Sequence, residues 1–308
     1  MKKTCFLLIS AFFAIVSCSS PRQEYFNALD RAIILQDYYN LEHSAREDSL
    51  RLLYLAADGD SVRWEIAYKL EKVLNYRDIE SCYNSVRWMI NNAADERQKI
   101  IGVCCYANIL YKMDSVKTAL EVLRQVDTVA MPREALAIYC FAAYHIYGKL
   151  LPQFSEFSRE RREVIDKWWQ TDSTSVECAF YRNSLMHEDG ACDDAVARLN
   201  ACRLKSPNDT TKYNYFLARE YLLNGDTDNA IKYFATSAEC DMRLGVKAYN
   251  ALYELARILF RTGDIERADR YMRITLKDAY SSHYESRYED VIRSELEIMN
   301  VRVEQQKQ

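Results

Sequence analysis

Two stretches of this chain align without a gap at a spacing of 38 residues: YFLAREYLLNGDTDNAIKYF from Tyr215 and YELARILFRTGDIERADRYM from Tyr253. Tyr215, Leu217, Ala218, Arg219, Gly225, Asp226, Ala230 and Tyr233 recur as Tyr253, Leu255, Ala256, Arg257, Gly263, Asp264, Ala268 and Tyr271. Self-similarity at such a period implies stacked supersecondary units that bury their apolar faces on one another. Leu217, Ala218 and Tyr221 fall at i, i+1 and i+4, one stripe of a helix. Gly225 suits the left-handed residue that ends this helix. Asp226 then suits the cap of the next one. Ala230 is small enough for the second helix to lie close to Ala218, and Phe234 should fill the space toward the neighbouring hairpin.

Small residues where paired helices touch, a large one between units and Gly-Asp in the turn resemble the tetratricopeptide repeat (TPR). The late proline of that pattern is absent, and the period exceeds its usual length of about 34 residues by a helical turn. The pattern weakens upstream. CAFYRNSLMHEDGACDDAVARLNAC places Ala195 in the role of Ala230 and Gly190 in the turn. CYANILYKMDSVKTALEVLRQV places Ala107, Ala119 and Leu123 in matching roles. The 76 residues from Ala119 to Ala195 leave room for one more, degenerate unit containing Gly148 to Trp169. Pro132, Pro152 and Pro207 fall between predicted helices. The expected fold is all-α: one continuous TPR-like α-solenoid of about six helical hairpins over residues 25–308. Residues 24–57 read as a single long helix, apolar at Phe26, Leu29, Ile33 and Leu41, that would cap the first hairpin. The end reads as a charged helix with Tyr288, Ile292, Leu296 and Met299 on one side.

Composition agrees. Seven glycines and four prolines in 308 residues are too little punctuation for a sandwich or barrel. The net charge of -4, with signs mixed throughout, argues against nucleic-acid binding. No CxxC pair and no Cys/His cluster has zinc spacing, so no metal or other cofactor is expected. Cys178 and Cys202 should face each other near the open end of a hairpin. Free thiols acting as small core residues are the favoured reading, with a disulfide as the alternative.

The N-terminus reads MKKTCFLLISAFFAIVSCSSPRQ. Its apolar run, Thr4 to Ser17, is shorter than the roughly 20 residues a spanning helix needs and follows two lysines, as in a secretory signal. Ile15-Val16-Ser17-Cys18 resembles the lipobox of bacterial lipoproteins. That resemblance implies a signal peptide over 1–17, lipidation at Cys18 and a tether over 18–24. Several acyl chains would anchor firmly, at about 0.8 kcal/mol per buried CH2. The segment after Cys18 lacks the acidic run of Bacteroidota lipoproteins exported to the outer face. The expected location is therefore the periplasmic side, at the outer membrane.

In a TPR solenoid the first helix of each pair lines the concave face. Tyr215, Arg219, Tyr253 and Arg257 are the candidate groove there, because Tyr and Arg are common interface anchors; packing between repeats is the alternative. Asn108, Tyr111, Phe180 and His187 fall near the same face. None of the four histidines sits in a nucleophile motif, a phosphate loop or HExxH, so no catalytic residue is assigned. Glu188-Asp189 and Asp193-Asp194 read as helix-end residues, and Trp168-Trp169 as packing.

LDRAIILQDYYNLEHSAREDSLRLL near the start and LARILFRTGDIERADRYMRITLKDAYSSHYESRYEDVIRSELEIM near the end resemble Bacteroidota TPR-containing sensor proteins of the transcriptional-regulator type. That resemblance implies a periplasmic sensing region followed by a membrane helix, a coiled coil and often a helix-turn-helix. Gln308 falls about where the membrane helix would begin. The expectation is a non-catalytic envelope lipoprotein whose solenoid binds a protein or peptide as a sensor-like accessory. The alternatives are the truncated periplasmic part of a regulator, or a scaffold in outer-membrane assembly.

Overall fold

The structure is a computed structural model that describes residues 21–74, 79–128, 131–191, 194–205, 210–245, 248–280 and 292–300. Cys18 and the expected signal peptide lie outside the described residues, as do Asp193, Pro207 and Tyr288. Helix α1 spans Pro21–Ile34 and α2 spans Gln36–Ala56. Six hairpins follow: α3 Asp60–Leu74 with α4 Ile79–Asn91, α5 Glu96–Lys112 with α6 Val116–Leu123, and α7 Arg133–Leu150 with α8 Phe157–Thr171. Then come α9 Val176–Glu188 with α10 Ala195–Lys205, α11 Thr210–Leu223 with α12 Thr227–Arg243, and α13 Tyr249–Thr262 with α14 Ile265–Tyr280. Residues 292–300 form a last helical stretch, here α15. Each hairpin packs on the next, giving the all-α solenoid with six hairpins.

The two clear repeats are built as their residues dictate. Gly225 and Gly263 adopt positive φ, 77° and 92°. The Asp226 and Asp264 amides reach back to the carbonyls of Tyr221 and Leu259, closing the helix ends. The Asp226 carboxylate then accepts from the Asn229 amide at 3.2 Å, capping α12. Ala218 and Ala230 are both fully buried in one cluster, which lets α11 and α12 approach closely. Phe234 is fully buried there, edge-on to Tyr215.

One upstream turn reaches the same geometry with a different residue, and another is built without it. Between α5 and α6 the positive-φ position is Asp114 (60°), and the Ser115 amide bonds to the Leu110 carbonyl. In the degenerate hairpin, Pro132 precedes α7 and Pro152 lies in the α7–α8 turn. Gly148 faces Arg161, whose guanidinium bonds the Tyr144 hydroxyl and Glu188.

The start of the chain departs from expectation. Residues 24–57 form two helices that break at Leu35, and α1 does not cap the first hairpin. It packs on α12 near the other end of the solenoid. Phe26 and Leu29 are fully buried among residues of α12, α13 and α14, and Phe26 stacks on Tyr271 at 6.5 Å. The Tyr271 hydroxyl donates to Asp30 at 3.1 Å and Arg270 pairs with the same carboxylate at 2.9 Å. Apolar periodicity gave α1 a buried face, but Tyr271 and Arg270, some 240 residues away, decide where that face goes. Helix α2 then contacts both α12 and α3, so it bridges the two ends of the solenoid. Leu41, expected to be buried, stays exposed on α2. At the other terminus, Ile292, Leu296 and Met299 are buried in the C-terminal cluster as their spacing predicts.

Candidate functional site

One stripe of residues on successive first helices lines a shared cavity of about 520 Å³. Tyr68, Glu71 and Lys72 come from α3, at i, i+3 and i+4; Cys105, Asn108 and Lys112 come from α5. Glu134, Ala137, Ile138 and Phe141 come from α7, with Glu177 of α9 and Lys212 of α11 completing the wall. Tyr68, Glu71, Cys105 and Asn108 are buried; the volume is in the range of ligand pockets, about 300–1,000 Å³.

Charge in the wall is arranged in pairs. Lys212 holds Glu177 at 3.0 Å, and Arg97 holds Glu134 at 2.7 Å from just outside the cavity. Lys72 stands over the Tyr68 ring, 4.1 Å from its centroid. Glu71 is the remaining carboxyl. Its burial pushes the pKa above the usual carboxylate range, while Lys112 and Lys72 oppose that rise. The Cys82 thiol lies 3.9 Å from the Glu71 carboxylate. The carbonyl oxygen of the Asn108 side chain is buried without a hydrogen-bond partner.

Beside the cavity, His145 sits in an aromatic box formed by Tyr111, Phe141, Tyr144 and Tyr181. Burial lowers its pKa to about 4, and Arg161 and Lys112 act in the same direction. Its Nε2 is 3.1 Å from the Tyr181 hydroxyl. Farther along, His187 meets the fully buried Glu220 at 2.7 Å, and Glu220 also accepts from the Asn183 amide at 3.2 Å. Arg198 bonds the Asn183 carbonyl oxygen, so the network ties α9, α10 and α11 together.

The four groove candidates divide. Tyr215 is half-buried between hairpins, edge-on to Phe216 and Phe234, with the Arg219 guanidinium 3.5 Å from its hydroxyl. Tyr253 donates to Glu295 of α15 at 3.1 Å, and Arg257 pairs with Glu254 and Glu295. Burial, reinforced by Glu295, raises the Tyr253 pKa to about 12. Residues 292–300 therefore sit across that part of the face. Glu188 and Asp189 close the C-terminal end of α9, where the helix dipole disfavours them, and pair with Arg161 and Arg162 of α8. Trp168 is buried in the core, and Arg182 lies over the Trp169 ring at 4.9 Å. The Cys178 and Cys202 thiols are free and turn toward different carbonyls, those of Ile165 and Ser173. Asn108 was placed on this face by the repeat register. Tyr68, Lys72, Lys112, Glu134 and Phe141 escaped it, because the repeat pattern in the early hairpins is too weak to show which charged and aromatic positions share an inner face.

Among the described residues, no group of three or more His, Cys, Asp or Glu could hold a metal ion, and no helix is long and apolar enough to cross a membrane. No curated protein matches this chain. A tetratricopeptide repeat protein from Parabacteroides merdae ATCC 43184 aligns with a TM-score of 0.50 and 14% identity, over 90% of this chain and 99% of that one. A chain from the computational design of self-assembling cyclic homooligomers aligns over the same shares at 13% identity, with a TM-score of only 0.14. The first likeness supports the TPR fold. The family model of the SusR N-terminal TPR domain matches residues 103–292, more than half of the chain, from α5 to the start of α15, and the protein therefore belongs to that TPR family.

Proposed function

We propose that this protein is a non-catalytic binding module of the cell envelope, anchored through Cys18 on the periplasmic side of the outer membrane, whose solenoid receives a protein or peptide partner as a sensor-like accessory. The observation that carries the reading is the cavity shared by five first helices. It offers paired charge, an aromatic wall and an unsatisfied acceptor in one place. Burial of the thiols and of His145 leaves these groups poorly suited to act as nucleophile or base: it pushes the Cys104 and Cys140 pKa values up to about 12 and that of His145 down to about 4. The lipobox at Ile15–Cys18 supports the anchor. Tyr215 and Arg219, beside the same face, are additional partner contacts in this reading.

The test is affinity capture from crosslinked envelopes with the full chain. Cys18→Ala should release the protein from the membrane fraction. Ala137→Phe, which fills the cavity, should remove a partner that the native chain enriches. Equal enrichment by the Ala137→Phe and native chains would sink the cavity as the docking place. A second reading, the sensing part of a transcriptional regulator, is favoured by the match to an N-terminal TPR domain. A membrane-spanning regulator as the specifically captured protein would fit both.

A further inference from the structure

Helix α2 lies outside the hairpins and carries two apolar faces, of which the fold uses one. The face turned to the solenoid holds His43, which is buried, and Leu50 and Tyr54, which pack on the cluster of α3 and α4. The opposite face holds Tyr38, Leu41, Ala45, Asp48, Leu52 and Leu55. These follow one another at steps of 3, 4, 3, 4 and 3 residues, a heptad seam over the length of the helix. All six are exposed, and Tyr38, Leu41, Leu52 and Leu55 are 56–75% exposed. Single exposed leucines are ordinary on a protein surface. A stripe sustained at a period of 3.5 is not, because that period matches another helix wound alongside.

The residues of α2 decide what that helix is. Asp37, Glu42, Glu47 and Asp48 outnumber Arg46 and Arg51, and Asp48 stands in the middle of the stripe. A helix that lies on a lipid surface is rich in Lys and Arg, so a membrane is a poor fit. The stripe is instead complementary to itself. In an antiparallel pair whose two-fold axis passes between Arg46 and Glu47, Tyr38 meets Leu55 of the second copy, Leu41 meets Leu52, and Ala45 meets Asp48. Large apolar side chains then fill the outer layers, and small Ala45 leaves room for water beside Asp48. A parallel pair would place two Asp48 carboxylates in one layer and Asp37 beside Glu42 of the second copy, two contacts between like charges. Because α2 is already folded and docked through its other face, pairing does not have to order it. Four large side chains from each copy, each more than half exposed, bring on the order of 1,000 Å² into the contact, the lower end for a specific interface.

We propose that α2 is a homodimerisation helix that pairs antiparallel with α2 of a second copy through Tyr38, Leu41, Leu52 and Leu55. Asp48 fixes the register and keeps the association reversible. The interface is independent of the cavity and of what the cavity receives.

The test is disulfide crosslinking in intact envelopes between two differently tagged full chains, one Leu41→Cys and the other Leu52→Cys. The mixed dimer should form. Leu41→Cys should not crosslink to itself, since its two thiols would lie about 16 Å apart along the helix axes. Preferential self-crosslinking at Leu41→Cys would mean a parallel pair and overturn the proposal. Sedimentation equilibrium on the full chain carrying Cys18→Ala, so that no acyl chain contributes, should show a monomer–dimer equilibrium in the micromolar range. Adding Leu41→Ser and Leu52→Ser should weaken it about tenfold or more. Asp48→Leu should tighten it about tenfold, and no tightening would refute the central layer. All three positions are exposed, so these variants should fold as the native chain does, which circular dichroism checks. A chain that stays monomeric to about 500 µM and gives no mixed disulfide would sink the dimer. Flotation with anionic vesicles, lost on Leu41→Ser and Leu52→Ser, would assign the stripe to a lipid surface instead.

Discussion

At the scale of single residues, the hairpin turns show how one backbone requirement is met by different chemistry. Gly225 and Asp114 hold the same position in their turns, both at positive φ. A Cβ in that region costs about 1–2 kcal/mol, less for Asp, whose short polar side chain tolerates it. Nothing lies within 4 Å of a Cβ built on Gly225, so Gly225→Ala should lose about 1 kcal/mol from backbone strain alone. Asp114→Gly should gain a few tenths of a kcal/mol. Relief of strain outweighs the added freedom of the unfolded chain, about 0.5–1 kcal/mol, and the exposed 3.6 Å pair with Lys149 contributes little. Urea denaturation of both variants checks this, and a loss of stability in Asp114→Gly would refute it. The Gly-Asp turns were legible in the sequence because glycine advertises positive φ. Asp114 was not, since aspartate is equally common in caps and turns that need no such conformation.

At the scale of elements, α1 carries the clearest long-range decision. Its Phe26 is buried on both sides, stacked on Tyr271 and covered by the Arg267 guanidinium at 4.6 Å. Asp30 adds a hydrogen bond to Tyr271 and an ion pair to Arg270. Phe26→Ala leaves a cavity between α1 and α14 and should cost about 3–5 kcal/mol if α1 stays docked. Should α1 let go instead, the loss is capped at the docking energy, and hydrogen exchange will show α1 amides unprotected while α5 and α7 are unchanged. Retained protection in α1 together with unchanged stability would contradict this account of the docking. Helical structure from residue 24 onward, the apolar face with Phe26 and Leu29 and the hairpins themselves followed from periodicity of 3.6 and the 38-residue repeat, but the break at Leu35 that makes α1 a helix of its own did not. The destination of α1 did not, because a helical stripe says that a face is buried and not by what. The cavity residues were hidden for the related reason that charged side chains at helical spacing look alike on a wet surface and in a binding site.

At the scale of the whole molecule, α2 converts an open stack into a tied one. Its 21 residues span about 31 Å at 1.5 Å per residue, from α12 back to α3. The tie is tightest at Gly245, where α12 has just ended: a Cβ there would meet His43 Cβ at 2.5 Å and the Tyr39 carbonyl oxygen at 2.9 Å. An open solenoid flexes along its length, because each unit touches only its neighbours. A tied one holds α3, α5, α7, α9 and α11 around the cavity at fixed spacing, so its ligand is bound without first ordering the walls. Gly245→Ala tests the tie against a matched control. Gly245 and Gly225 have similar φ, 67° and 77°, so both alanine variants carry the same backbone strain. Only Gly245→Ala also drives α2 away from α12. It should therefore lose more stability than Gly225→Ala, by about 1–3 kcal/mol, the usual cost of overpacking. It should also increase hydrogen exchange across residues 36–56 and weaken cavity binding without touching the cavity. If the two variants lose equal stability and α2 keeps its protection, α2 is a passive connector and the cavity is shaped by hairpin stacking alone.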